Sequence, residues 1–175
     1  PQALLQTNTS GDTPLIAAAS RGNLESCKLL LKAAKGSAGM DVEELMMTGN
    51  RNGDTPLNVT ISIASQQTDT EELIDLLLAH STERVVNTPN NAGLTPILVA
   101  CERDDAKWLQ KLVDCKANVA VRDSTGASPL AVAAFCGSKE VLAMLLLNND
   151  TDLLEQPNTN GCTPLWLAAR SGRPE

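Results

Sequence analysis

Gly11-Asp12-Thr13-Pro14-Leu15 returns four times along the chain, as Gly53-Asp54-Thr55-Pro56-Leu57, Gly93-Leu94-Thr95-Pro96-Ile97, Gly126-Ala127-Ser128-Pro129-Leu130 and Gly161-Cys162-Thr163-Pro164-Leu165. Each position has a mechanical role. Glycine turns the chain where other residues would be strained, and the Thr or Ser hydroxyl accepts from the free N–H groups of a first helical turn. Proline sets the backbone dihedral just inside that turn. The motif predicts a helix start, five times over. Thr13, Thr55, Thr95, Ser128 and Thr163 stand 42, 40, 33 and 35 residues apart, which points to a 33-residue module with insertions.

The residues just after each start are also alike. Ile16-Ala17-Ala18-Ala19, Leu98-Val99-Ala100-Cys101, Ala131-Val132-Ala133-Ala134 and Trp166-Leu167-Ala168-Ala169 are mostly small and apolar, so neighbouring helices can approach closely. A turn comes next, as at Arg21-Gly22-Asn23 and Cys136-Gly137-Ser138. A second apolar helix then ends in Leu29-Leu30-Leu31, Leu76-Leu77-Leu78, Lys111-Leu112-Val113 or Met144-Leu145-Leu146. With these residues the chain resembles the ankyrin repeat family over nearly all of its length. The resemblance implies an all-α solenoid of stacked helix-turn-helix modules joined by hairpin loops. It would form one domain, with repeats at about 8–49, 50–89, 90–122, 123–157 and an incomplete 158–175. One departure recurs: the histidine that often comes after T-P-L in the family is replaced by Ile16, Asn58, Leu98, Ala131 and Trp166. Packing must then stand in for a hydrogen-bond network between repeats, and a softer array is expected.

Composition narrows the function classes. The chain is 42% hydrophobic but only 2% aromatic, which suits modules that bury helix pairs against their neighbours better than one large core. A net charge of -7 argues against general attraction to nucleic acid or to anionic membranes. No apolar run exceeds the seven residues of Leu130 to Cys136, far below the roughly 20 that span a bilayer, and no signal-peptide pattern opens the chain. An intracellular, cytoplasmic or nuclear, location is expected, without membrane insertion. None of the five cysteines lies in a C-x-x-C pair, so they are expected as small packed thiols. The sole histidine, His80, is expected beside a helix end. No catalytic constellation, phosphate loop or metal spacing is visible, so no enzyme activity, cofactor or metal is expected.

Several modules are irregular. Leu24, Cys27, Leu30 and Leu31 share one helical face and are expected in the core. Nine extra residues fall between Lys35 and Gly49. There Asp41-Val42-Glu43-Glu44 predicts a helix start, and Met46-Met47 is either packing or contact surface. The second module has β-branched residues in Asn58-Val59-Thr60-Ile61-Ser62-Ile63; helix is expected nonetheless, with an insertion at 66–70. In the third, Asp104-Asp105 replaces a glycine turn and Trp108 is expected to pack between repeats. Leu4 and Leu5 are expected to cover the N-terminal side. The sequence stops where a fifth second helix should begin, so the chain reads as a fragment. Leu165 and Leu167 should have lost cover, with self-association or disorder near Trp166.

The resemblance implies protein or peptide binding on a concave face built from hairpin tips and first helices. Aligned tips place Asp12, Arg51, Asn52, Asp54, Asn91, Leu94, Ser124, Thr125, Thr159 and Asn160 along one rim. The ends of the first helices add Arg21, Glu102, Arg103, Phe135 and Arg170. Phe135 is the only Phe. Either it meets a partner, flanked by Glu102 and Arg103, or it packs inward between modules. Two other readings stand beside binding: a regulatory or targeting arm of a longer enzyme or channel acting in cis, and plain structural spacing. Val86-Asn87 is read in the hairpin where family members can carry a hydroxylated asparagine, with Ala120 at the matching place; turn geometry is the alternative.

Overall fold

The computed structural model describes residues 2–37, 39–64, 68–147 and 152–172. Among them there are helices and turns and no strand. The chain divides into two compact units, Pro1–Asn91 and Ala92–Glu175.

The first unit opens with a short 3-10 turn, Gln2–Leu4, where Leu4 and Leu5 are half-buried. Then come α1 (Pro14–Ala19), α2 (Leu24–Gly36), α3 (Val42–Met47), α4 (Pro56–Ile63), α5 (Thr68–Ala79) and α6 (Glu83–Val86). First helix packs on first helix, α1 on α4, and second on second, α2 on α5, while α3 touches α2, α4 and α6. Leu15, Ile16, Leu31, Leu57, Ile61, Leu73, Ile74 and Leu77 fill the space between them. Each such side chain contributes roughly 1.5–3 kcal/mol when fully buried.

The second unit holds α7 (Pro96–Glu102), α8 (Ala106–Asp114), α9 (Pro129–Cys136), α10 (Lys139–Leu147), α11 (Asp152–Glu155) and α12 (Pro164–Arg170). The same rule stacks α7, α9 and α12 in succession and sets α8 against α10. Trp108 is buried here, with the Lys107 and Lys111 amines 5.3 and 5.0 Å from its ring centre. Packing claims this indole.

The repeated hydroxyls do what their positions require. Thr13, Thr55, Ser128 and Thr163 accept from the N–H of Ile16, Asn58, Ala131 and Trp166 at 3.2–3.3 Å. Thr95 is the exception: its helix carries no side-chain cap bond, and its buried Oγ1 has no partner. The third turn departs differently. Asp104 takes the left-handed conformation, φ 54°, that Gly22 and Gly137 supply elsewhere.

In α4 the β-branched stretch is helical, because Leu57, Thr60 and Ile61 are buried against neighbouring helices and Thr60 Oγ1 donates to the Pro56 carbonyl at 2.7 Å. Tertiary packing overrides local preference. The expected insertion at 66–70 is corrected in part: 68–70 open α5, and 66 and 67 lie outside the described residues. In the longer insertion Asp41 accepts from Glu43 N–H at 2.9 Å to start α3; Met46 is fully buried and Met47 half-buried. His80 comes directly after α5, its Nδ1 2.9 Å from the Leu76 carbonyl oxygen.

Three other expectations change. Leu24 and Leu30 are only half-buried, so the core face of α2 narrows to Cys27, Leu31 and Ala34. Leu167 is buried, while its neighbours Leu165 and Trp166 are exposed, because a helix turns only every third or fourth side chain to one face, here Pro164 and Leu167. Asn87 is no hairpin residue: it closes α6 as its C-cap, and its Nδ2 donates to the Glu83 carbonyl at 2.8 Å.

Candidate functional site

The hairpin tips are built on a side chain that precedes each motif glycine by three residues. Asn8 Oδ1 accepts from the N–H groups of Ser10 and Asp12, and Asn50 Oδ1 from those of Asn52 and Asp54. Asp123 and Asn158 repeat the pattern on Thr125 and Ala127, and on Asn160 and Cys162. These Asx turns hold the tip backbone in place. Sequence reading missed these residues, although Asn or Asp stands at that offset in all five copies.

Within each unit, successive tips are joined by one main-chain bond. In the first unit Arg51 N–H donates to Ser10 O at 3.3 Å and Asn91 N–H to Asn52 O at 2.9 Å. In the second, Ser124 N–H donates to Ala92 O and Thr159 N–H to Thr125 O. The approach is close enough that a Cβ on Gly93 would lie 2.6 Å from Ser124 N. Glycine is obligatory there for space as well as for φ.

This architecture commits some of the expected rim side chains. Asp12 accepts from Asn50 Nδ2 at 3.2 Å and Asp54 from Asn90 Nδ2 at 2.7 Å, so both carboxylates tie one tip to the next. Asn91 Nδ2 donates to the Arg51 carbonyl. Arg51, Asn52, Ser124, Asn160 and Thr159 are exposed, although Thr159 Oγ1 donates to the Thr125 carbonyl; Leu94 is half-buried. At the end of the third module Arg122 clamps the fourth: its guanidinium donates to the carbonyls of Gly126 and Pro157 and to Gln156 Oε1. No sequence signal had marked Arg122.

In the first unit Arg21 lines a shallow depression with Pro14, Ala17, Ser26 and the exposed Leu29. The second unit brings more chemistry together. Glu102, Phe135, Cys136, Arg170 and Ser171 line one open depression of about 690 Å³, formed where α7, α9 and α12 end. Phe135 is 51% exposed there, which answers the choice between core and surface. The Arg170 guanidinium lies 5.4 Å from the centre of the exposed Trp166 ring. Arg103, expected beside Phe135, is exposed but does not line the depression. The Glu102 carboxyl sits above the ordinary carboxylate range because it is partly desolvated and because Asp123 adds negative charge nearby. Cys101, behind it, is buried, and its carbonyl accepts from Ser138 Oγ at 2.9 Å. Among the described residues no group of three or more His, Cys, Asp and Glu side chains is placed to hold a metal. No described helix is long and apolar enough to cross a membrane.

A model of three consecutive ankyrin repeats matches residues 61–156 and 110–175, and a single-repeat ankyrin model matches residues 10–43. The chain belongs to the ankyrin repeat family. Its ankyrin modules are similar to several curated proteins. Human transient receptor potential cation channel subfamily A member 1 is 28% identical over 177 residues, 98% of this chain and 14% of that protein. The Neurogenic locus Notch protein of Drosophila melanogaster is 31% identical over 137 residues, 78% of this chain and 5% of that protein. Mouse ankyrin repeat domain-containing protein 63 is 34% identical over 122 residues, 69% of this chain and 30% of that protein. The chain thus spans less than a third of the length of each of these relatives. Ankyrin arrays are protein-interaction modules, and none of the relatives names a partner for this chain.

Proposed function

We propose that this ankyrin chain binds a protein partner as a peptide segment laid over the exposed ends of the first helices, with the depression around Phe135 as its principal contact. The observation that supports this most is the pairing of a half-exposed aromatic ring with opposite charges at its borders, Glu102 and Arg170, in one open cleft. Burying such a ring against a partner contributes about 2 kcal/mol or more. The flanking charges add direction and selectivity. Tip residues Ser124, Thr125, Thr159 and Asn160 extend the surface within the same unit.

A second reading keeps the surface and changes the source of the segment. The relatives are far longer than the chain, and one is named as a member of a cation channel subfamily. In this reading the partner is another part of the same polypeptide, and the array is its regulatory or targeting arm. Both differ from plain spacing in requiring a saturable site.

The test is selection of displayed random peptides on the chain, with Phe135→Ala as a parallel target. We expect selected peptides to bind saturably and to lose about tenfold or more in affinity to Phe135→Ala. The variant should unfold within about 2 °C of the parent, as an exposed side chain implies. Peptides that bind both proteins equally would overturn the placement at Phe135, and an empty selection would leave spacing as the function.

A further inference from the structure

Among the described residues, the cleft of the second unit carries one carboxylate and one cation on its lining, Glu102 at the end of α7 and Arg170 at the end of α12. Glu102 makes no salt bridge among the described residues. Its carboxyl is nevertheless partly desolvated and faces the negative charge of Asp123. Asp123 in turn spends its Oδ1 on Thr125 and Ala127. The ends of α7, α9 and α12 converge on the cleft, and the C-terminal end of a helix carries partial negative charge. Few groups offset this. From α9 the ionisable neighbour is Cys136, and from α7 itself it is Cys101. On α8, which packs against α7, Lys107 and Lys111 sit over Trp108. Arg103, next in sequence, has partners of its own. Arg170 is the cation that lines the cleft, stacked on Trp166 at the α12 side.

We infer that the cleft selects a peptide segment in which a Lys or Arg adjoins an aliphatic or aromatic side chain, the cation seated against Glu102 and the apolar group on Phe135. This rests on the binding reading above and names the partner chemistry it requires. Glu102 has no salt bridge among the described residues and stands on the open cleft with the half-exposed ring of Phe135, so a cation that arrives beside an apolar group can meet both. An acidic segment would meet Glu102 and the ends of three helices, and among the described residues that line the cleft Arg170 is the cation in its favour. The chain's net charge of -7 steers encounter the same way.

The pairing has a proton signature. The carboxylate is the binding form; an adjacent cation lowers its affinity for a proton, so protonation and peptide compete. Affinity is therefore full above the titration of Glu102 and falls as pH drops through it.

The same displayed-peptide selection tests this, read by composition. Winning sequences without histidine are synthesised and titrated against the parent, Glu102→Gln and Phe135→Ala, with circular dichroism checking that each variant is folded. We expect enrichment of Lys or Arg beside apolar residues, and about tenfold weaker binding to Glu102→Gln, the effect of losing one charged hydrogen bond. Acidification through the titration of Glu102 should weaken binding to the parent and leave binding to Glu102→Gln unchanged. Winners that are acidic or phosphorylated, or that bind Glu102→Gln as well as the parent while failing on Phe135→Ala, overturn this inference and leave peptide binding standing. An empty selection overturns both.

Discussion

Asp104 holds φ at 54° where the first and fourth modules use Gly22 and Gly137. A residue with a Cβ in the left-handed region is disfavoured by roughly 1 kcal/mol, less for Asp than for most, and glycine lifts that restriction. Asp104→Gly should therefore stabilise the chain by up to about 1 kcal/mol, a rise of about 2–4 °C in Tm for a chain of this size, measured by thermal circular dichroism. An unchanged or lower Tm would mean that the Asp side chain offsets its own strain. This position was legible in the sequence, since Asp104-Asp105 stands where other copies have Gly-Asn or Gly-Ser. Phe135 was not: the repeat aligned it to the end of a first helix, but whether that end is covered depends on how α12 packs on α9. Asp12 and Asp54 show the converse limit. Their place at the aligned tips suggested contact, and only the three-dimensional approach of Asn50 and Asn90 revealed that both are occupied.

The five helix starts share a sequence signature and differ in how it is satisfied. Thr55 accepts from Asn58 N–H, whereas Thr95 leaves its buried hydroxyl without a partner. Valine has nearly the same shape as threonine and no hydroxyl, so it separates the cap from the packing. Thr55→Val should lower the unfolding free energy by about 1 kcal/mol through loss of the cap. Thr95→Val should be neutral or stabilising, because it removes a buried polar atom that lacks a bond. Denaturant titration of the two variants checks the contrast, and equal losses would show that both hydroxyls are capping. Helix existence could be read from the repeat even in α4, where propensity argued otherwise. Helix limits could not, because extra residues can lengthen an element as readily as a loop; part of the expected insertion before α5 became helix.

In the whole molecule, Cys27 belongs to the core of the first unit and Cys101 to that of the second. Burial pushes the Cys27 thiol from an ordinary value near 9.0 up to about 11, and Cys101 shifts in the same direction. The folded state thus keeps a proton that the unfolded state releases. The stability this represents is fully present below about pH 9 and is lost as pH rises toward about 11. Urea midpoints measured across that window should fall for the parent and fall less steeply for Cys27→Ala, whatever its starting stability; parallel slopes would show that the thiol stays protonated in both states. The tip joints bear on a different matter. In the first unit Arg51 N–H meets Ser10 O although 42 residues separate Thr13 from Thr55, and in the second Thr159 N–H meets Thr125 O across a step of 35. The joint is common and the length between joints is not. Parts with one coupling and many lengths tolerate insertion between the couplings, so the stretch between joints can grow, as it does with α3, while one tip still meets the next in the same way.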